Sequence, residues 1–229
     1  MSTGCHTAAL GTVDVLLREG LAPDLVVGCS AGAMFGALIA AGHNALEAVR
    51  IATTLWSAEP TQKKRWCAIP PMRWPRLGKF AADFPLRDDR LIVQRLDQAI
   101  GDLRIEDLRL PLRVTTTCAA TGERVVLREG SLVQALRASI ALPFMFAPVH
   151  IGGRRLMDGF IADPLPVSAA AGATAVLALG FESPMPRRVN GPSRMLAQVT
   201  SALTNNLMQA RLAEAKVSGA RLRSIVPRH

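Results

Sequence analysis

Two short segments carry residues able to do chemistry together: Gly28-Cys29-Ser30-Ala31-Gly32 and Asp158-Gly159. The apolar run Leu25-Val26-Val27 before the first reads as a buried strand, and the small residues after it read as a helix. Strand, tight turn and helix form the setting of a nucleophile elbow, where a serine is held in an exposed, strained backbone geometry. Gly28 and Gly32 are expected to leave room for the close approach of strand and helix. A helix beginning near Ala31 points free N–H groups and its positive end at the same spot, which suits a developing oxyanion. The ordinary alternative is a strand-to-helix turn with a capping serine.

A serine hydroxyl needs a base within hydrogen-bond reach. Of the four histidines, His6 precedes the serine, His43 falls just past the elbow helix and His229 is the last residue. His150, in a β-like run, is the one histidine whose setting allows the role, and a Ser-His-Asp triad is disfavoured. Asp158 is the better candidate. The stretch from Pro148 to Gly159 reads as a β-hairpin turning on Gly152-Gly153, so the carboxylate emerges at a strand end. An aspartate before glycine is by itself an ordinary turn residue. Its usual pKa of ~3.9 makes it a weak base, and partial burial would raise it.

These residues resemble those of the patatin-like phospholipases. Three blocks carry the resemblance in order: Pro23 to Ala33 around Ser30, Ala138-Ser139-Ile140-Ala141-Leu142-Pro143, and Asp158-Gly159-Phe160 followed by Asp163-Pro164-Leu165-Pro166-Val167. Thr121-Gly122-Glu123 before the run Arg124 to Leu127 also fits. The resemblance implies that Ser30 is a nucleophile and Asp158 its base, without histidine. It implies that the Ala31 amide donates to the oxyanion and that Ser139, Pro143 and Gly159 support the site. It further implies a lipid acyl hydrolase that needs no cofactor or metal, with a phospholipid or other acyl-ester lipid as substrate.

Two departures stand out. Family members begin with a strand running into a glycine-rich loop that supplies oxyanion donors. Here that loop would fall on Met1 to His6, with Gly4 its one surviving glycine, and the resemblance implies a longer chain at both ends. Weakened turnover is the expected consequence, and the alternative is a relative that binds lipid without hydrolysing it. Phe160 replaces a second glycine and crowds the backbone beside Asp158.

Around these segments helical and strand periodicities alternate. Helices are expected over Ala8–Glu19, Ala31–Ala41, Ala45–Trp56, Asp88–Ile100, Leu132–Arg137, Pro166–Ala171 and Pro192–Ser218. Strands are expected over Asp24–Val27, Leu112–Cys118, Arg124–Leu127, the two arms of the hairpin, Ala173–Leu179 and Leu222–Val226. This pattern predicts an α/β fold, a single layered domain over 1–229 with a central, mainly parallel sheet flanked by helices.

The 229 residues, 49% of them hydrophobic, suffice for one sizeable core. The four cysteines lack metal-binding or redox spacing, which suggests free thiols in a reducing compartment. No stretch reads as a transmembrane helix or a signal peptide, so a cytoplasmic protein is expected. The segment 57–87 stands apart as a lid-like insertion. Its Lys63, Lys64, Arg65, Arg73 and Arg76 interleave with Trp66 and Trp74, as an interfacial segment touching the anionic inner membrane surface would require. A solvated basic loop whose tryptophans pack back on the domain is the bland alternative. The net charge of +9 also suits nucleic acid, but no recognition motif accompanies it and none is expected as a partner.

Overall fold

A computed structural model describes residues 11–16, 18–55, 89–217 and 221–226. After the helical residues 11–16, strand β1 (Val26–Cys29) leads into helix α1 (Ala31–Ala40), followed by α2 (Ala45–Leu55) and α3 (Arg90–Ile100). Strands β2 (Leu112–Cys118) and β3 (Arg124–Leu127), helix α4 (Leu132–Ser139) and the hairpin β4 (Val149–Ile151) and β5 (Arg154–Asp158) come next. Two 3₁₀ turns (Gly159–Ile161 and Val167–Ala170), β6 (Ala175–Leu179), α5 (Pro192–Val217) and β7 (Arg221–Ile225) complete the order.

Local chemistry sets several of these boundaries. Asn44 and Glu47 form a reciprocal capping box at the start of α2: Asn44 Oδ1 accepts the Glu47 N–H at 2.9 Å, and Glu47 Oε2 accepts the Asn44 N–H at 3.1 Å. Ser131 caps α4 by accepting the Gln134 N–H. Gly152 and Gly153 both take positive φ, which the tight turn between β4 and β5 requires. The expected helix over Pro166–Ala171 is only a 3₁₀ turn, Val167–Ala170, which stops where Ala171 leaves helical geometry (ψ 134°) and Gly172 follows at φ 94°. β1 begins two residues later than expected and runs right up to Ser30, its ladder opening with the Val26 N–H donated to the Pro111 carbonyl.

The α/β class is as expected, and within it the five-stranded sheet is mixed rather than mainly parallel. β1 pairs parallel with β2, while β3 and β5 pair antiparallel with β2, and β4 antiparallel with β5. The hairpin explains this, since a two-residue turn can join only antiparallel strands. β3 covers one edge of β2 over Val114–Thr117, so β1 and β5 must share the opposite edge, end to end. Cys29 pairs with Thr115 and Asp158 with Thr116. Strands β6 and β7 form a separate parallel pair.

The main core lies between the sheet and α1, α3 and α4, where Met34, Leu96, Val114, Leu132 and Leu136 are fully buried. A second cluster joins Leu165, Ala178, Met208 and Leu212 beneath β6 and α5. Among the described residues β1 pairs only with β2, and β6 only with β7. Their facing edges line one cavity of about 2150 Å³, walled also by Phe35 and Ile39 of α1 and by Leu203 and Leu207 of α5.

Candidate active site

Ser30 sits at the joint between β1 and α1 with φ 52° and ψ −125°. A non-glycine residue in such a conformation costs on the order of 1–3 kcal/mol and persists only where its surroundings hold it. Ser139, at the end of α4, does much of the holding. Its Oγ accepts the Ser30 N–H at 2.9 Å, and its own hydroxyl donates to the Thr115 carbonyl at 2.8 Å. Gly28 supplies the space, because a Cβ there would strike the backbone of Ala33 and Gly32.

Gly32 does not share that role. Nothing among the described residues lies within 4 Å of a Cβ built on it, so the expectation that it accommodates the strand–helix contact is corrected. Gly36, one turn further along α1, meets the Val26 and Leu112 side chains instead. Strand and helix thus close on each other at Gly28 and again at Gly36, and Gly32 lines the open cavity.

Asp158 is 3% exposed and closes β5. Its Oδ2 accepts the Ser30 hydroxyl at 2.9 Å, and its Oδ1 accepts the Phe160 N–H at 2.9 Å. Its backbone is fixed on both sides: the N–H donates to the Ala141 carbonyl at 3.0 Å, and the carbonyl accepts the Thr117 hydroxyl at 2.8 Å. Ala141 lies just ahead of the turn containing Pro143, so that segment braces the carboxylate through the main chain. Gly159 is equally constrained, since a Cβ would run into the Thr115 carbonyl. Phe160 contributes its backbone N–H to Asp158.

Burial pushes the Asp158 pKa up to about 7, against the opposing pull of the Phe160 N–H and the Ser30 hydroxyl. The carboxylate is thereby a far better proton acceptor at neutral pH than an ordinary aspartate. The neighbouring Cys29 thiol is pushed well above its usual range by desolvation and by the Asp158 charge, so it stays protonated and is no rival nucleophile. His43 lies beside Glu47 past the end of α1, and His150 is exposed on β4 opposite Arg155; neither lines the cavity.

For an oxyanion, the first turn of α1 offers the amides of Ala31 and Gly32, which have no hydrogen-bond partner among the described residues and border the cavity. Leu142, Met145, Phe160 and Ile161 give this end of the cavity an apolar wall. A serine hydroxyl on a carboxylate, with free amides beside it and apolar walls around, is suited to acyl transfer. No group of His, Cys, Asp and Glu able to hold a metal occurs among the described residues. Gly4 and the whole basic segment with Lys63, Lys64, Arg65, Trp66, Arg73, Trp74 and Arg76 lie outside the described residues.

A family model for patatin-like phospholipase matches residues 4–171, from ahead of the elbow to past Asp158. The chain belongs to the patatin-like phospholipase family. Members of this family act on lipid substrates as acyl hydrolases. The chain is 30% identical over 215 residues to an uncharacterized NTE family protein of Mycobacterium tuberculosis, covering 93% of this chain and 55% of the relative. A Mycobacterium bovis counterpart shows the same figures. The patatin-like phospholipase domain-containing protein 7 of Rattus norvegicus is 28% identical over 184 residues, 79% of this chain and 13% of the relative. The chain thus spans about half the length of the mycobacterial relatives it matches.

Sequence reasoning missed two parts of this patatin-like site. Thr115, Thr116 and Thr117 are fully buried, and their hydroxyls donate to the carbonyls of Gly28, Val125 and Asp158. Three consecutive threonines in a strand flanked by apolar residues were the available signal. Asp163 is fully buried, with Oδ2 bonded to Arg124 Nη1 at 2.5 Å and Oδ1 3.7 Å from Arg211 Nε. Arg124 also donates to Ser168. This cluster ties β3, the loop after Asp158 and α5 together.

Proposed function

We propose that this chain is a serine acyl hydrolase that cleaves carboxylic ester bonds of phospholipids or related lipids through a Ser30–Asp158 dyad. The observation that carries the reading is the 2.9 Å hydrogen bond from the Ser30 hydroxyl to a buried carboxylate whose pKa lies near neutrality. As Ser30 Oγ attacks the ester carbonyl, its proton passes to Asp158 Oδ2. The oxyanion forms beside the Ala31 and Gly32 amides. Collapse expels the alcohol, which takes the proton from Asp158 and leaves an acyl group on Ser30. Water then gives a proton to the same carboxylate as it attacks the acyl carbonyl, and the fatty acid departs as Ser30 is reprotonated.

The rival reading is a relative that binds lipid at a membrane surface without turnover. The departure of residues 1–6 from a glycine-rich loop favours it. A fluorophosphonate probe on the purified chain, with Ser30→Ala as control, separates the two. Labelling that depends on Ser30 is the expected result and leads to vesicle hydrolysis assays. A folded chain that does not label would overturn the dyad and leave the binding role.

A further inference from the structure

Around its middle, α5 turns polar side chains towards the protein. Ser201, Asn205 and Gln209, spaced by four, face the segment before the helix. Ser201 Oγ donates to the Pro184 carbonyl at 3.2 Å, and Gln209 Nε2 donates to Glu182 at 3.4 Å. Asn205 clasps the Ser183 backbone from both sides, accepting its N–H at 2.7 Å and donating to its carbonyl at 3.0 Å. Apolar burial of this helix comes from its second half, through Met208, Leu212 and Ala215.

At 100° per residue, Leu196, Val199 and Leu203 fall on the side opposite Ser201 and Asn205. Leu196 and Leu203 are 64% and 65% exposed, and Met195 is 61% exposed. Met185 and Val189, on the approach to the helix, are exposed as well. An apolar stripe pointing outwards marks a surface with a partner. Charge says which. Arg187 and Arg188 on the approach and Arg194 in the first turn of the helix are all exposed, and no acidic residue occurs from Ser183 to Ala213. Apolar side chains flanked by unopposed arginines suit an anionic bilayer, with the helix lying in the headgroup region. No helix among the described residues is long and apolar enough to cross a membrane. The stripe also leads somewhere: Thr200 and Leu203 at its inner end line the cavity that holds Ser30.

We propose that the first half of α5, with the approach from Met185 to Val189, docks on anionic lipid bilayers and turns the mouth of the Ser30 cavity towards them. The purpose of this docking rests on the hydrolase reading above, while the docking itself is measurable without turnover.

The test is flotation of the full chain, carrying Ser30→Ala so that vesicles stay intact, with vesicles of phosphatidylcholine alone or mixed with phosphatidylglycerol. The expected result is binding to the mixed vesicles that weakens with salt. Arg187→Glu with Arg188→Glu, and separately Leu196→Asp with Val199→Asp, are each expected to lower that binding roughly tenfold or more. In the otherwise native chain the same pairs are expected to leave fluorophosphonate labelling unchanged. Should the aspartate pair fail to fold, Leu196→Gln with Val199→Gln gives the same readout. No binding by the parent overturns the proposal, as does undiminished binding by the folded variants, which would place the lipid contact elsewhere, such as in the basic segment 57–87. Absent fluorophosphonate labelling in the native chain would sink the hydrolase reading alone, with flotation still readable.

Discussion

Cys29 and Asp158 pair with consecutive residues, Thr115 and Thr116, along a single edge of β2, one approaching by a parallel strand and the other by an antiparallel one. Two strands that end nose to nose bring Ser30, the residue after Cys29, against the Asp158 carboxylate without any loop having to reach. Such a pairing is rigid. Ser30→Ala is accordingly expected to abolish fluorophosphonate labelling, and Asp158→Asn to slow it by about 10²–10⁴, the usual worth of a general base. Circular dichroism and melting curves should show both variants folded. Unslowed labelling in Asp158→Asn would remove the carboxylate from the mechanism.

The raised pKa of Asp158 predicts how labelling depends on pH. A protonated carboxyl cannot take the serine proton, so the rate should climb with pH and level off above an inflection near about 7. A profile flat from pH 5 to 9 would contradict this.

The same group links pH to stability. An unfolded aspartate ionises near ~3.9, whereas folded Asp158 holds its proton up to about 7. The folded state therefore gains most from this group at low pH, loses that advantage as pH rises through the interval between the two values, and loses no more above it. Asp158→Asn removes the cost of ionising a buried carboxyl. At ~1.4 kcal/mol per pH unit, it should stabilise the protein by up to ~4 kcal/mol at pH 8 and by little near pH 4. Urea denaturation at the two pH values measures the difference.

Ser139 predicts a different signature. Replacing it with alanine orphans the Ser30 N–H and the Thr115 carbonyl at once, both in the site's interior. A loss of about 1–3 kcal/mol in stability is expected. Because the Ser30 backbone relaxes out of its strained geometry, labelling should slow even under conditions where the variant is fully folded. A melting shift with an unchanged labelling rate would reduce Ser139 to a packing residue.

Much of this was legible in the sequence because it is local. The elbow, the boundaries of β2 and β3 and the Gly-Gly hairpin follow from apolar runs and turn residues within a few positions of one another. The abutment of β1 and β5 on one edge of β2 was not legible, since register between strands more than a hundred residues apart leaves no trace in periodicity. The glycines divide in the same way. Gly28 was readable from the tight turn itself, whereas the part played by Gly36 depends on where Val26 and Leu112 arrive. The Asp163 cluster was hidden because its arginines come from β3 and α5, distant segments that look like ordinary solvated charge.

That cluster gives a final prediction. Asp163 is fully buried between Arg124 and Arg211, and its Oδ1 has no hydrogen bond, so the ion pairs alone hold that side of the carboxylate. Asp163→Ala leaves two half-buried guanidinium groups facing an apolar gap, which costs about 3–5 kcal/mol where such a pair is fully enclosed and less here because both arginines reach solvent. Arg124→Met leaves the carboxylate with only the distant Arg211, and should cost a comparable amount. The double variant is expected to be less unstable than the sum of the two, because the one charge then left, Arg211, still pairs with Glu214. Strictly additive losses in chemical denaturation would show that Asp163 and Arg124 act independently and that the loop after Asp158 is not secured through them.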